Sequence, residues 1–167
     1  MRTLPRKASL LVVGVLLICG TPTADAADNI SRIIDGDTIQ MKSGERVRLI
    51  QIDTPELTGK ECFGVNAKTE LSKLLNSSGK IQLIADPKLD KIDRYGRSLR
   101  YIFFNGVNVN LKLVEIGAAA PYFYRSEKGM YSKQLMDAAY SARKNKLGLW
   151  KFCPRTTLEP NRALTTK

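Results

Sequence analysis

Asp35, Asp37, Asp53 and Glu56 lie close together in this chain, with the guanidinium of Arg48 among them. Carboxylates gathered at one point repel and raise each other's pKa unless a cation holds them. A bound metal is therefore expected. The chain has no histidine, so an all-oxygen site for a hard cation is favoured over a zinc site. Calcium suits such a site best, because it accepts many oxygens in loose geometry and leaves room for water and a phosphate. Both motifs also have ordinary structural readings. Asp35-Gly36 is a common hairpin turn, and Asp53 to Glu56 has the make-up of a helix start, with an Asp or Thr cap, a proline and an acid. Thr58-Gly59 follows at once and is poor helix material.

A second arginine recurs downstream. Arg97 closes the charged turn that begins at Asp90 and bends at Tyr95-Gly96. It opens a strand, where it could face the same groove as Arg48. Two forked guanidiniums beside a metal suit a phosphodiester, whose charge builds on the equatorial and leaving oxygens as the bond breaks. Between Pro121 and Arg125, Tyr122 and Tyr124 alternate with Phe123. Such a pattern can stack bases and hold their phosphates, or simply fill a core.

The elements that must position these residues are legible from periodicity. Ile30–Ile34, Thr38–Met41 and Glu45–Ile52 read as three strands separated by turns at Asp35-Gly36 and at Lys42 to Gly44. Strict alternation in the third would put Arg48 and Asp53 on opposite faces, so if both serve one site the chain must bulge or leave the strand before Asp53. Val65–Leu75 carries a helical stripe that reads as core. Lys80–Ala85 and Arg97–Phe104 are two further strands. Val109–Ile116 reads as a short helix stopped by Gly117, and Glu127–Lys146 as a final amphipathic helix. The expected fold is α+β, a five-stranded Greek-key barrel of OB type with three packed helices. Residues 154–167 show little periodicity and are expected to form a loose tail.

Residues 1–26 have a basic opening, an apolar run from Leu10 to Cys19 and a small-residue cleavage site at Ala24 to Ala26, the pattern of a secretory signal peptide. The run is too short to span a bilayer, and bulky Ile18 argues against a lipid-modified Cys19. Without this leader, which holds Arg2, Arg6, Lys7 and Asp25, the net charge falls from +11 to +9. A strongly basic domain favours polyanions, and nucleic acid fits the acid and arginine set better than a membrane does. Residues 27–153 make one domain with its own core. Cys62 and Cys153 are an even pair in a chain expected to be exported, to the periplasm or beyond, which argues for a disulfide.

The order Asp35-Gly-Asp-Thr38, Arg48 to Glu56, Asp93 to Arg97 and Leu147-Gly-Leu-Trp150 resembles the staphylococcal nuclease family, and the match runs from about Ile30 to Trp150. The resemblance implies the OB-fold and a Ca²⁺-dependent endonuclease that cleaves DNA and RNA with low sequence specificity, leaving 3′-phosphates. It implies that Asp37, Asp53 and the Thr54 carbonyl bind Ca²⁺, with Asp35 supporting them through water. Glu56 would activate the attacking water. Arg48 and Arg97 would clamp the scissile phosphate, and Arg94, Tyr95, Tyr122 and Tyr124 would hold the neighbouring nucleotide, single strands being preferred. A monomer without stable membrane association is expected.

The sequence also departs from the family pattern. The stretch from Leu57 to Val65 is shorter than the family's mobile loop and contains Cys62, Arg94 stands where a lysine is familiar, and Pro121 alters the entry to the tyrosine pair. A rival reading is a secreted OB-fold module that binds single strands without cutting them. It shares the charge and the aromatics, but gives no chemical reason to keep Asp37, Asp53, Glu56, Arg48 and Arg97 together.

Overall fold

Two tight turns fold the first strands into a meander. The computed structural model describes residues 30–59, 61–76 and 78–166, so the expected leader lies outside the described residues. Strands β1 (Ile30–Ile33), β2 (Thr38–Met41) and β3 (Arg46–Leu49) pair antiparallel, with Ile33 opposite Ile39 and Thr38 opposite Arg48. Asp35 shapes the first turn, its Oδ1 accepting the Asp37 N–H at 3.1 Å. Gly44, at φ 90°, makes the second. In β3 the period of two sends Val47 and Leu49 into the core and turns Arg46 and Arg48 away from it.

The expected strand over Glu45–Ile52 is broken. After Leu49 the chain turns through Ile50 and Gln51, where φ is +64°, and resumes as β4 (Ile52–Asp53). This kink resolves the parity conflict between Arg48 and Asp53. β4 pairs with β8 (Ala120–Pro121) in a separate two-stranded ribbon.

Helix α1 (Gly64–Leu75) buries Ala67, Leu71 and Leu75. It is followed by β5 (Ile81–Ile84), β6 (Ser98–Phe104) and the short β7 (Val107–Asn108). The main sheet runs β1-β2-β3-β6-β5, with β3 and β6 parallel and every other neighbour antiparallel. That is the curled half-barrel of an OB-fold, as expected. Helix α2 (Val109–Glu115) is capped by the Asn108 side chain, which accepts the Leu111 N–H at 3.1 Å. Buried Asn110 closes the sheet where it splays, donating to Ile50 O at 2.9 Å and accepting the Ile102 N–H at 2.9 Å. Ile39, Val47, Leu49, Leu71, Ile102 and Leu113 are among the residues that fill the space between sheet and helices.

The C-terminal helices differ from expectation. Helix α3 spans Ser132–Lys144 rather than starting at Glu127. Tertiary bonds take its would-be first turn: Gly129 N–H donates to Gln51 Oε1 at 2.8 Å and Met130 N–H to Asp86 Oδ2 at 2.6 Å. A fourth, short helix α4 (Leu149–Phe152) follows the Gly148 turn. Cys62 and Cys153 form a disulfide 91 residues apart in sequence; closing so long a loop in the unfolded chain stabilises the fold by up to about 4–5 kcal/mol. Residues 154–166, expected as a loose tail, return to the barrel through hydrogen bonds from Leu164 and Thr166.

Candidate active site

The β1–β2 turn, β3 and β4 bring their charged side chains to one place. Arg48 lies at the centre. Its Nε meets Asp37 Oδ1 at 2.9 Å and its Nη2 meets Asp53 Oδ1 at 2.7 Å. Its Nη1 donates to the carbonyls of Leu49 and Ile52 at 2.6 and 2.8 Å. Three of the five N–H donors of the guanidinium are thus hydrogen-bonded, and Nε adds an ion pair to Asp37. Asp37 is 5 % exposed, and its Oδ2 accepts both the N–H and the hydroxyl of Thr54, at 3.1 and 3.0 Å. Thr54 thus docks the turn after β4 onto the turn before β2.

The electrostatics follow from this crowding. Burial pushes Asp37 up to about 7, with Asp35 and Asp53 adding to the rise and Arg48 opposing it. Burial also raises Asp53, again against Arg48. Glu56 is raised by burial and by Asp35 and Asp53. Burial works to lower Arg48, but Asp37 and Asp53 outweigh it and hold the guanidinium charged.

Arg97 joins the group through β2. Its Nη1 lies 3.5 Å from the Thr38 hydroxyl, which in turn donates to Asp37 Oδ1 at 3.1 Å. The side chain is set by Asp93, whose Oδ2 takes Arg97 Nε at 2.7 Å while Oδ1 accepts the N–H groups of Tyr95 and Arg97. Burial pushes the Asp93 carboxyl up, but these hydrogen bonds prevail and hold it below its ordinary value. The Arg97 guanidinium also lies 5.4 Å from the Tyr95 ring centroid.

The candidate substrate residues sit on two facing segments. Arg94 Nη2 donates to the Tyr95 hydroxyl at 2.6 Å, a bond that raises the already high pKa of Arg94, with Tyr124 contributing. Tyr122 is half-buried beside β4, its N–H bonded to Gln51 O at 3.0 Å. Burial and then Asp53 raise its hydroxyl pKa. Tyr124 is exposed on a 3₁₀ turn with Arg125 over its ring. Gln51 holds this segment, its Nε2 donating to Glu127 O at 3.0 Å and its Oε1 accepting from Gly129.

Four residues carry weight that their types alone did not announce. Thr38 links the two arginines, Asp93 aims Arg97, Gln51 kinks β3 and fixes the tyrosine segment, and the Leu164 N–H bonds Asp53 Oδ2 at 2.8 Å. Positive φ at a non-glycine is invisible in a pattern of hydropathy, and a main-chain donor has no sequence signal at all. Only Thr38 and Asp93, inside the motifs at 35–38 and 93–97, were within reach of such reading.

Asp35, Asp37, Asp53 and Glu56 set four formal negative charges against the one cation at their centre. That excess, and donors that are all oxygen, fit a hard divalent cation. Among the described residues no three acidic side chains form a complete ligand group by themselves. An ion here would draw its remaining oxygens from the main chain and water, as a weak calcium site does.

The chain matches the family described as Staphylococcal nuclease homologue over residues 46–152. It is 36 % identical over 129 residues to a thermonuclease of Staphylococcus intermedius, covering 72 % of this chain and 74 % of that protein. It is 34 % identical over 128 residues to Endonuclease YncB of Bacillus subtilis, covering 72 % of this chain and 60 % of that protein. It is 31 % identical over 150 residues to Protein ParB of Escherichia coli, covering 83 % and 80 %. Fold and acid–arginine cluster define a hydrolase of the nuclease class, built on an OB half-barrel. The chain belongs to the staphylococcal nuclease family.

Proposed function

We propose that this protein is an exported, Ca²⁺-dependent endonuclease acting on DNA and RNA with little sequence preference. The observation that carries the reading is the single cluster in which Asp37 and Asp53 pair with Arg48, Glu56 lies within its electrostatic reach, and Arg97 reaches the same place through Thr38. Nothing in a binding module would call for this gathering of acids, Asp37 buried among them, beside two arginines. Asp37, Asp53 and the Thr54 carbonyl would hold Ca²⁺, with Asp35 behind them. When bound, the cation supplies positive charge against the diester.

Glu56 takes a proton from water as its oxygen bonds to phosphorus, and burial, with Asp35 and Asp53, raises its pKa and makes it a stronger base than an ordinary carboxylate. The P–O5′ bond breaks on the opposite side, leaving a 3′-phosphate, and the 5′ oxygen takes up a proton. Arg97 is the principal donor to the developing charge, since Arg48 already spends three N–H groups on its own site and is paired with Asp37 besides. Arg94, Tyr95, Tyr122 and Tyr124 hold the next nucleotide by stacking and charge, which favours single strands. The Cys62–Cys153 disulfide suits an oxidising compartment outside the cytoplasm. Among the described residues no helix is long and apolar enough to cross a membrane, and the protein is taken to act as a monomer.

The deciding experiment is cleavage of denatured DNA with Ca²⁺ and with a chelator, beside a folded Glu56→Gln variant. Calcium-dependent cutting that falls about 10²- to 10⁴-fold in the variant is expected. Salt-sensitive binding of single strands without cutting would replace the enzyme by a binding module.

A further inference from the structure

Beyond Cys153 the chain doubles back along the ribbon formed by β4 and β8. Pro160 O accepts the Phe123 N–H at 2.5 Å, Leu164 N–H donates to Asp53 Oδ2 at 2.8 Å, and the Thr166 hydroxyl donates to Cys62 O at 2.7 Å. Three contacts in chain order thus cross from the tyrosine segment, over the acid on β4, to the loop that follows Glu56. The strap is anchored at both ends. Cys153 is covalently bonded to Cys62, and Thr166 is 2 % exposed. In the middle, Leu164 packs against the small core cluster that includes Ala120, Leu149 and Trp150. Thr157, Glu159, Arg162 and Leu164 wall a cavity of about 190 Å³ opposite Ala120 and Pro121.

The contact with Asp53 has a particular chemistry. Oδ1 faces Arg48 at 2.7 Å and Oδ2 faces the Leu164 amide at 2.8 Å, so the carboxylate plane is fixed from both sides. A carboxylate offers about four lone-pair directions, and two are used here. The main-chain amide is a neutral donor. It orients the carboxylate without setting a second positive charge against an incoming cation, as a lysine or arginine in its place would.

We infer that the C-terminal strap is part of the metal-binding apparatus, with the Leu164 amide acting as a positioning group that holds Asp53 Oδ2 and presents the rest of the carboxylate to a divalent cation. This rests on the proposed role of Asp53 as a ligand. Partners that orient metal ligands typically contribute about 10- to 100-fold to metal affinity. The strap therefore strengthens Ca²⁺ binding and does not obstruct it.

Calorimetric titration of the full chain with Ca²⁺ tests this, using Leu164→Pro, which removes the N–H, and Leu164→Ala, which keeps the N–H and trims the side chain. Circular dichroism and a thiol assay establish that each variant is folded with its disulfide closed. Leu164→Pro is expected to weaken Ca²⁺ by at least about tenfold, with Leu164→Ala close to the parent. Equal or tighter binding in Leu164→Pro would overturn the inference, making the strap a bystander or an obstruction; equal losses in both variants would assign the effect to packing. If proline at 164 disturbs folding, Thr166→Val, which releases the end of the strap, decides instead: weaker Ca²⁺ binding supports the inference and unchanged binding overturns it. An Asp53→Asn control separates the two layers. Parent binding that Asp53→Asn leaves untouched removes the proposed ligand role itself, whereas binding that needs Asp53 but ignores Leu164→Pro removes only the strap's part.

Discussion

Replacing Arg48 with alanine should cost stability before it costs anything else. The side chains of Arg48, Asp37 and Asp53 are 12 %, 7 % and 13 % exposed, and the guanidinium meets the two acids at 2.9 and 2.7 Å. Removing it leaves two buried carboxylates without their cation, a change that typically costs about 3–5 kcal/mol. In a domain of this size that corresponds to a fall in Tm of about 10–15 °C. The sign with pH is fixed by the direction of the shifts. Asp37 is raised from an ordinary 3.8 to about 7 in the fold, so its protonated form is the one the fold favours. Its contribution to stability is present at low pH and lost as pH climbs through about 7. Without Arg48 that loss deepens, so Arg48→Ala should be close to the parent near pH 4 and far below it at pH 8. Thermal unfolding followed by circular dichroism at both pH values, in chelator, reads the difference. A loss under about 1 kcal/mol at pH 8, the size of a surface ion pair, or an equal loss at both pH values, would refute the claim that the acids depend on this guanidinium.

Other outcomes follow from single contacts. Asp93→Asn removes the charged partner of Arg97 at 2.7 Å, and should lower kcat by about 10- to 100-fold through misplacement while the unfolding midpoint barely moves. The double variant Cys62→Ser, Cys153→Ser should lose up to about 4–5 kcal/mol, read as a lower urea midpoint. Because burial raises Asp37, Asp53 and Glu56, with nearby carboxylates adding to each, protons compete with a cation for them. The Ca²⁺-induced rise in Tm should therefore be larger at pH 8 than at pH 5, and a rise independent of pH would place the ion elsewhere.

Much of this site was legible because it is local. Asp35, Asp37, Arg48, Asp53 and Glu56 sit on consecutive turns and strands, so their types and order nearly dictate their meeting. Arg97 needed one long-range fact, the parallel pairing of β3 with β6 that sets Arg48 opposite Leu99, and its place at the head of that strand hinted at it. The remainder depended on main-chain events. Gln51 at φ +64° ends β3 early, which alternation alone reads as one strand from Glu45 to Ile52. The start of α3 is moved from Glu127 to Ser132 by amides bonded to Gln51 and Asp86, a tertiary override of a sound helical pattern. The course of residues 154–166 is set by hydrogen bonds to Phe123, Asp53 and Cys62, and weak periodicity carried no trace of them.

The disulfide closes a covalent ring that contains Arg94, Tyr95, Arg97, Tyr122 and Tyr124. Inside that ring, residues 124–128 are all exposed and include Arg125 and Lys128, the kind of loop tip that trypsin-like proteases nick. A cut there opens the ring without releasing either piece. The nicked chain stays a single molecule, its two parts joined at Cys62 and Cys153 and packed through α2 and α3, and the pieces cannot part until a reductant is added. Where proteases are abundant and reductants scarce, one backbone cut would leave Leu164 and its strap on the same particle as the Asp53 it holds.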